Sequence, residues 1–254
     1  MHEVKSLPDA ATDGSITLKN KSSVKMYDLP QDWFQNDYGR YSVPEGLDHR
    51  PAVRLIKAGK IYEPNTIRFM RTHAGTGDII HAGTFFGDFL PGLSGAMALD
   101  ARIWAFEPNP DSHSHAQRTI AMNALDNVTL THAAVSNTDG VIRFQTRDTQ
   151  GNPLGGHSRF VTADGPGVEQ VPAIQLDNVV PQDRQVSILQ LDVEGHERAA
   201  LDGAMGIITR CRPILILEEF RYKRWIKAKL GHLGYELKQK IHANRIFAPA
   251  DRTL

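Results

Sequence analysis

The sequence predicts an α/β fold, a mostly parallel sheet with helices on both faces. Two observations carry this. From about residue 66 onward, short apolar runs alternate with longer helical stretches. Polar residues also recur just past the ends of the apolar runs: Gly83-Thr84, Glu107, Asp192 and Glu218. Open α/β sheets bind ligands there, beyond the carboxyl ends of their strands.

The elements follow in order. Asp78 to Ala82 reads as a strand that ends in the turn GTFFG, with a helix from about Asp88 to Leu99. Arg102 to Phe106 is the second strand and ends at Glu107-Pro108. Pro110-Asp111-Ser112 has the composition of a helix first turn, and that helix runs to about Ala124. Val128 to Ala133 is the third strand, and Asn137 to Gly140 is a turn before a strand at Val141 to Gln145. Residues 148–168 hold five glycines and two prolines and read as a long loop bordering a site. Val186 to Leu191 is a buried-strand run, Glu197 to Ile208 a helix, and Pro213 to Leu217 a further strand. A basic amphipathic helix over Tyr222 to Leu230 and a hairpin of Tyr235 to Lys240 with Asn244 to Ala248 close the chain. Residues 1–60 lack clear periodicity. They read as an N-terminal extension with short helices, serving as a lid or as a collar over a sheet edge, and 61–254 as the main domain.

Composition sets bounds. Apolar residues make up 41% of 254, enough for a sizeable core. Twenty-nine basic residues balance twenty-nine acidic ones, which argues against a broad nucleic-acid footprint. Cys211 is the sole cysteine, so neither an internal disulfide nor a thiolate zinc site is expected, and a reducing, cytoplasmic setting fits. The least charged stretch, Ile79 to Leu99, is broken by His81, Asp88, Pro91 and four glycines, so no membrane span is expected.

Three motifs carry chemistry. In HAGTFFG, glycines at a strand-to-helix turn let a ligand approach the backbone, although a pure packing turn has the same spacing. In FEPN, Glu107 lies twenty residues beyond Gly87, where a carboxylate can accept hydrogen bonds from two ribose hydroxyls. Together they indicate an adenosine-type ligand. Phe85 fills the place of the middle glycine of a pyrophosphate turn, which favours a cofactor without phosphates over a nicotinamide dinucleotide. In LQLDVEGHE, Asp192 could offset a sulfonium charge, and Glu194 or His196 could take a proton from a hydroxyl.

The segments GDIIHAGTFFGDF, WAFEPNP, NVTLTHAAVSNTDG, GGHSRF, IQLDNVV and LQLDVEGHERAALDGA, in this order over roughly residues 65–220, resemble the FkbM-type family of S-adenosylmethionine-dependent methyltransferases. The resemblance implies a Rossmann-like seven-stranded class I methyltransferase sheet. It also implies methyl transfer to a hydroxyl of a sugar, polyketide or other small metabolite. It would place His81, Gly83, Thr84, Phe85 and Gly87 at the methionyl part of the cofactor, Glu107 at the ribose with Asn109 nearby, and Ala133 and Ala134 at the adenine. Asp192, Glu194, His196, His157 and Glu218 would serve the transferred methyl or its acceptor. His81 stands where the family usually has Asp, and Gln190 where it usually has Lys, which removes a cation from the floor of the site. No metal ligands are assigned, although Asp192, Glu218 and Glu219 could offer oxygens to a divalent metal. The expected partner is a small hydroxylated acceptor, not nucleic acid or membrane, with a homo-oligomer left open. The alternatives are a non-catalytic cofactor-binding homologue and a nicotinamide-dependent oxidoreductase.

Overall fold

The computed structural model describes residues 33–254. The part of the predicted N-terminal extension over residues 1–32 lies outside them. Along the chain come β1 (Phe34–Asn36), β2 (Gly39–Tyr41), α1 (Pro51–Lys57), α2 (Pro64–His73), β3 (Asp78–Ala82), α3 (Leu90–Ser94), β4 (Ile103–Phe106), α4 (Pro110–Met122), β5 (Val128–Thr131) and β6 (Ala134–Val135). There follow β7 (Gly140–Gln145), β8 (Arg159–Val161), β9 (Val168–Ile174), α5 (Leu176–Val179), β10 (Val186–Leu191), α6 (Glu197–Asp202), α7 (Met205–Cys211), β11 (Ile214–Glu218), α8 (Lys223–Leu230), β12 (Tyr235–Ile241) and β13 (Asn244–Pro249).

The main sheet has seven strands in the order β12-β13-β11-β10-β3-β4-β5. The five strands from β11 to β5 are parallel, and β13 and β12 close the sheet antiparallel. Alternation along the strands divides the core. Ile79, Ile103, Ile214, Ile216 and Ile246 meet Ile67, Met70, Leu90 and Leu93 of α2 and α3 on one face. Ile80, Phe106, Leu189, Leu215, Leu217 and Phe247 meet α5 through α8 on the other. This is the seven-stranded α/β sheet the sequence implied.

Several elements differ from the sequence reading. The helix expected over Asp88 to Leu99 shrinks to Leu90–Ser94, because Pro91, Gly92 and Gly95 deprive it of helix-forming residues. The strand expected from Val128 to Ala133 ends at Thr131, and the chain enters a second, four-stranded sheet in the order β6-β9-β7-β8. Strand β9 was not foreseen, and the expected loop 148–168 contains β8 and a 3₁₀ turn over Gly155–His157. The helix expected over Glu197 to Ile208 divides at Gly203. A Cβ there would lie 1.9 Å from the Ser136 carbonyl oxygen, so only glycine allows β6 and this corner to approach. The described part of the extension contains a hairpin and a helix, and Tyr41, Leu47, Val53 and Ile56 cover Phe85 and Phe86 after β3.

Asp78 locks the amino ends of three strands together. Its side chain is buried, and Oδ2 accepts hydrogen bonds from Trp104 Nε1 and Arg184 Nε, each at 2.7 Å. Its Oδ1 accepts from the Arg102 backbone N–H at 2.9 Å. Removing the carboxylate strands a guanidinium, an indole N–H and an amide. Asp78→Ala should lower stability by about 3 kcal/mol, read as a shift of the urea midpoint at constant m-value. Asp164→Ala, which breaks the exposed ion pair with Arg143, should leave the midpoint where it is.

Candidate active site

The carboxyl ends of β3, β4, β10 and β11 open into a cavity of about 390 Å³, within the usual range for a small-molecule site. Its backbone is strained where the sheet meets it. Phe85, Glu194 and Glu63 line the cavity with φ of 53°, 50° and 43°, and Glu219 just after β11 has φ 42°. Non-glycine residues hold such angles only where packing over-determines them, and these positions cluster at functional sites.

The turn after β3 is built around close contacts. Gly83 has φ 83°, and a Cβ on it would lie 1.8 Å from the Asp192 carbonyl oxygen. The Asp192 N–H in turn donates to the Ala82 carbonyl at 3.0 Å. Two turn residues expected to line the cavity do not. Thr84 is fully buried and spends its hydroxyl on the His81 carbonyl, and Gly87 faces Leu90 and Thr119. Asn109 also lies off the cavity wall. It N-caps α4, accepting from the amides of Asp111 and Ser112, and its Nδ2 donates to Ser158 Oγ at 2.8 Å. It therefore positions the 155–158 turn.

His81, Gly83, Phe85, Glu107, Ala133, Ala134, Asp192, Glu194, His196, His157 and Glu218 all line the cavity. Glu107 is buried. Its two oxygens accept from the Phe85 N–H at 2.7 Å and the Asn109 N–H at 2.8 Å. Those amides favour the carboxylate, yet burial dominates and pushes the group up to about 8. His81 is stacked on Phe89 and hydrogen-bonded through Nδ1 to Gln190 Oε1. Burial pushes its pKa down to about 4, so the ring is neutral and Nδ1 carries the proton. The other nitrogen, Nε2, is buried without a partner. At the end of β10, burial and the neighbouring Glu218 raise the Asp192 carboxyl well above its ordinary value, and burial raises Glu194 to about 7. His196 Nε2 is 2.9 Å from Ser136 Oγ, and its ring stacks on Phe160.

Other wall residues were not singled out from the sequence. His49, Arg50, Tyr62 and Glu63 come from the extension and its junction with α2, Asp88 from the turn, and Asn244 from β13. No local pattern marks the first four, because the way the extension folds over Phe85 brings them in. Asn244 enters through the antiparallel edge, where it is the register partner of Glu218.

The lining suits an adenosyl sulfonium cofactor. The Glu107 carboxylate has lone pairs left for ribose hydroxyls, and the orphaned His81 Nε2 can accept from an ammonium. A pyrophosphate does not fit, because the Phe85 amide is already engaged by Glu107 and carboxyls dominate the wall. Among the described residues, no group of three or more His, Cys, Asp or Glu is arranged to hold a metal ion, and no helix is long and apolar enough to cross a membrane.

The family described as "Methyltransferase FkbM domain" matches residues 81–242, more than half of the chain. No curated protein matches it significantly. The crystal structure of the methyltransferase FkbM from Methylobacillus flagellatus KT aligns with a TM-score of 0.48 at 16% identity, over 68% of this chain and 43% of that one. This chain thus spans less than half the length of that protein. A methyltransferase from Geobacter sulfurreducens aligns with a TM-score of 0.42 at 14% identity, over 81% and 90% of the two chains. An rRNA methylase from Streptococcus thermophilus aligns at 0.41 and 11% identity, over 72% and 92%.

Carboxyls raised by desolvation set a pH dependence. Between an unfolded glutamate's ordinary 4.5 and the folded value of about 8, Glu107 binds a proton only in the folded chain. Stability therefore falls as pH rises through that window. Asp88 and Glu194, each raised to about 7, act in the same direction. His81 acts in the opposite sense, but only between about 4 and its ordinary 6.5. The melting temperature of the ligand-free protein should fall from pH 6.5 to 8.5, and fall less steeply in Glu107→Gln. Equal slopes in the two proteins would contradict this reading of Glu107.

Proposed function

The chain belongs to the FkbM family of S-adenosylmethionine-dependent methyltransferases, and from that premise we propose that it methylates a hydroxyl of a small metabolite. The observation that carries the oxygen assignment is Glu194. It is held at φ 50° on the cavity wall with its carboxyl raised to about 7, where a general base is most effective.

When bound, the cofactor supplies an electrophilic methyl on a sulfonium. The protein's own residues do the rest. Glu107 receives the ribose hydroxyls, while Ala133 and Ala134, with Ile142 and Phe144 of the smaller sheet, form the apolar wall at the adenine end. The neutral, buried His81 and the partly buried Asp192 occupy the floor between the two ends of the cavity. The Glu194 carboxylate accepts the hydroxyl proton as the acceptor oxygen attacks. His157 and His196 flank the acceptor, with Phe160 and the 155–158 turn beside them on the wall. Alignment of two reactants accounts for roughly 7–11 kcal/mol of such a barrier, and a base adds about 10²–10⁴-fold, so geometry outweighs any single proton acceptor.

Calorimetric titration with S-adenosylhomocysteine should show saturable binding that Glu107→Ala weakens at least tenfold, about 1.4 kcal/mol. Glu194→Gln should keep that affinity and lower methyl transfer to a hydroxylated acceptor by about 10²-fold. The wild-type rate should rise as pH passes about 7, and the variant should lose that rise. Cofactor affinity unaffected by Glu107→Ala would contradict the ribose role. Tight binding with no transfer to any hydroxylated compound would favour a non-catalytic homologue.

A further inference from the structure

The cavity extends well beyond the part assigned to the adenosyl group. Glu107 stands at the end of β4, and Asn244 opens β13, four strand steps away across β3, β10 and β11. At about 4.8 Å per step the two ends are roughly 19 Å apart. The far end is made by different elements: Glu63 at the start of α2, Glu218 closing β11 and Asn244 opening β13, where Glu218 and Asn244 are register partners.

Its polar atoms are of one kind. Asn244, which lines the cavity, is 3% exposed and donates through Nδ2 to Glu63 Oε2 at 2.8 Å, while its carbonyl Oδ1 is buried with no partner. The same nitrogen lies 3.4 Å from Thr66 Oγ1, so in this orientation the amide's donor end is engaged and its oxygen is the unpaired end. Around it stand four carboxyl groups, Glu63, Asp192, Glu194 and Glu218, against one guanidinium, Arg50. Burial and the neighbouring Glu218 hold Glu63 above its ordinary range, against the opposing pull of Thr66, His242 and Asn244. Among the described residues, no three acidic or histidine side chains are arranged to ligate an inorganic cation.

The geometry points to a subsite at Glu63, Glu218 and Asn244 for an ammonium group on the methyl acceptor, making the substrate a hydroxylated amine such as an amino sugar. A protonated amine supplies several N–H donors. They satisfy the orphaned Asn244 oxygen and neutralise the carboxyls together, as neither a neutral polyol nor a hydroxy acid does. This inference rests on the methyltransferase reading of the same cavity and adds the class of its acceptor.

The test is binding of glucosamine, glucose and glucuronate to the protein saturated with S-adenosylhomocysteine, followed by saturation-transfer NMR and calorimetry. Glucosamine should bind at least tenfold tighter than the other two. Asn244→Leu and the conservative Glu63→Gln should each remove most of that preference while changing S-adenosylhomocysteine affinity less than twofold. Equal or absent binding of all three sugars, a preference for glucuronate, or a preference that survives Glu63→Gln would overturn the inference while leaving the cofactor reading intact. Failure of the wild type to bind S-adenosylhomocysteine would overturn both.

Discussion

The contact between Gly83 and Asp192 is the constraint on which the site depends. The backbone of the turn after β3 passes so close to the Asp192 carbonyl that any Cβ would overlap it, and the Asp192 N–H is bonded to the Ala82 carbonyl. Two adjacent parallel strands are thereby clamped at their carboxyl ends. Everything chemical in the cavity is registered to that clamp. His81 and Gln190 face each other across the same strand pair. Asp192 is held rigidly between the two ends of the cavity, and the turn is directed so that the Phe85 amide reaches Glu107. A glycine turn at the end of a strand lets a ligand approach the backbone. In this chain Gly83 serves strand-to-strand approach as well, and Gly87 serves helix packing alone.

The cavity is also unusual in its charge state. Desolvation raises Glu63, Asp88, Glu107, Asp192 and Glu194 together, and Asp88, Glu107 and Glu194, pushed up to about 7, 8 and 7, hold protons that the unfolded chain would release below neutral pH. A wall of this kind stores a preference for cations and hydrogen-bond donors. The neutral His81–Gln190 pair fits such a wall. The stacked, proton-poor imidazole contributes an acceptor without adding a further buried charge.

Much of this was legible in the sequence, for identifiable reasons. Parallel strands buried on both faces give continuous apolar runs, so β3, β10 and β11 stood out, and the polar residues that follow them marked the site. The small sheet was missed because β9, VEQVPAI, has a proline and exposed polar residues, and β6 is two residues long. The break between α6 and α7 depends on a contact with Ser136 that no local pattern reveals. The same holds for Arg50, Glu63 and Asn244, which join the cavity through tertiary packing of the extension and the antiparallel edge. Thr84, Gly87 and Asn109 lie in recognisable motifs, yet they support the wall from behind.

The most direct test of the account is a crystal structure of the protein with S-adenosylhomocysteine. The account predicts the ribose hydroxyls on the Glu107 carboxylate, the adenine against Ala133 and Ala134, and the end of the cavity at Glu63 and Asn244 left free for a second molecule. An adenosyl group bound away from Glu107, or one that fills the Glu63–Asn244 end, would contradict it.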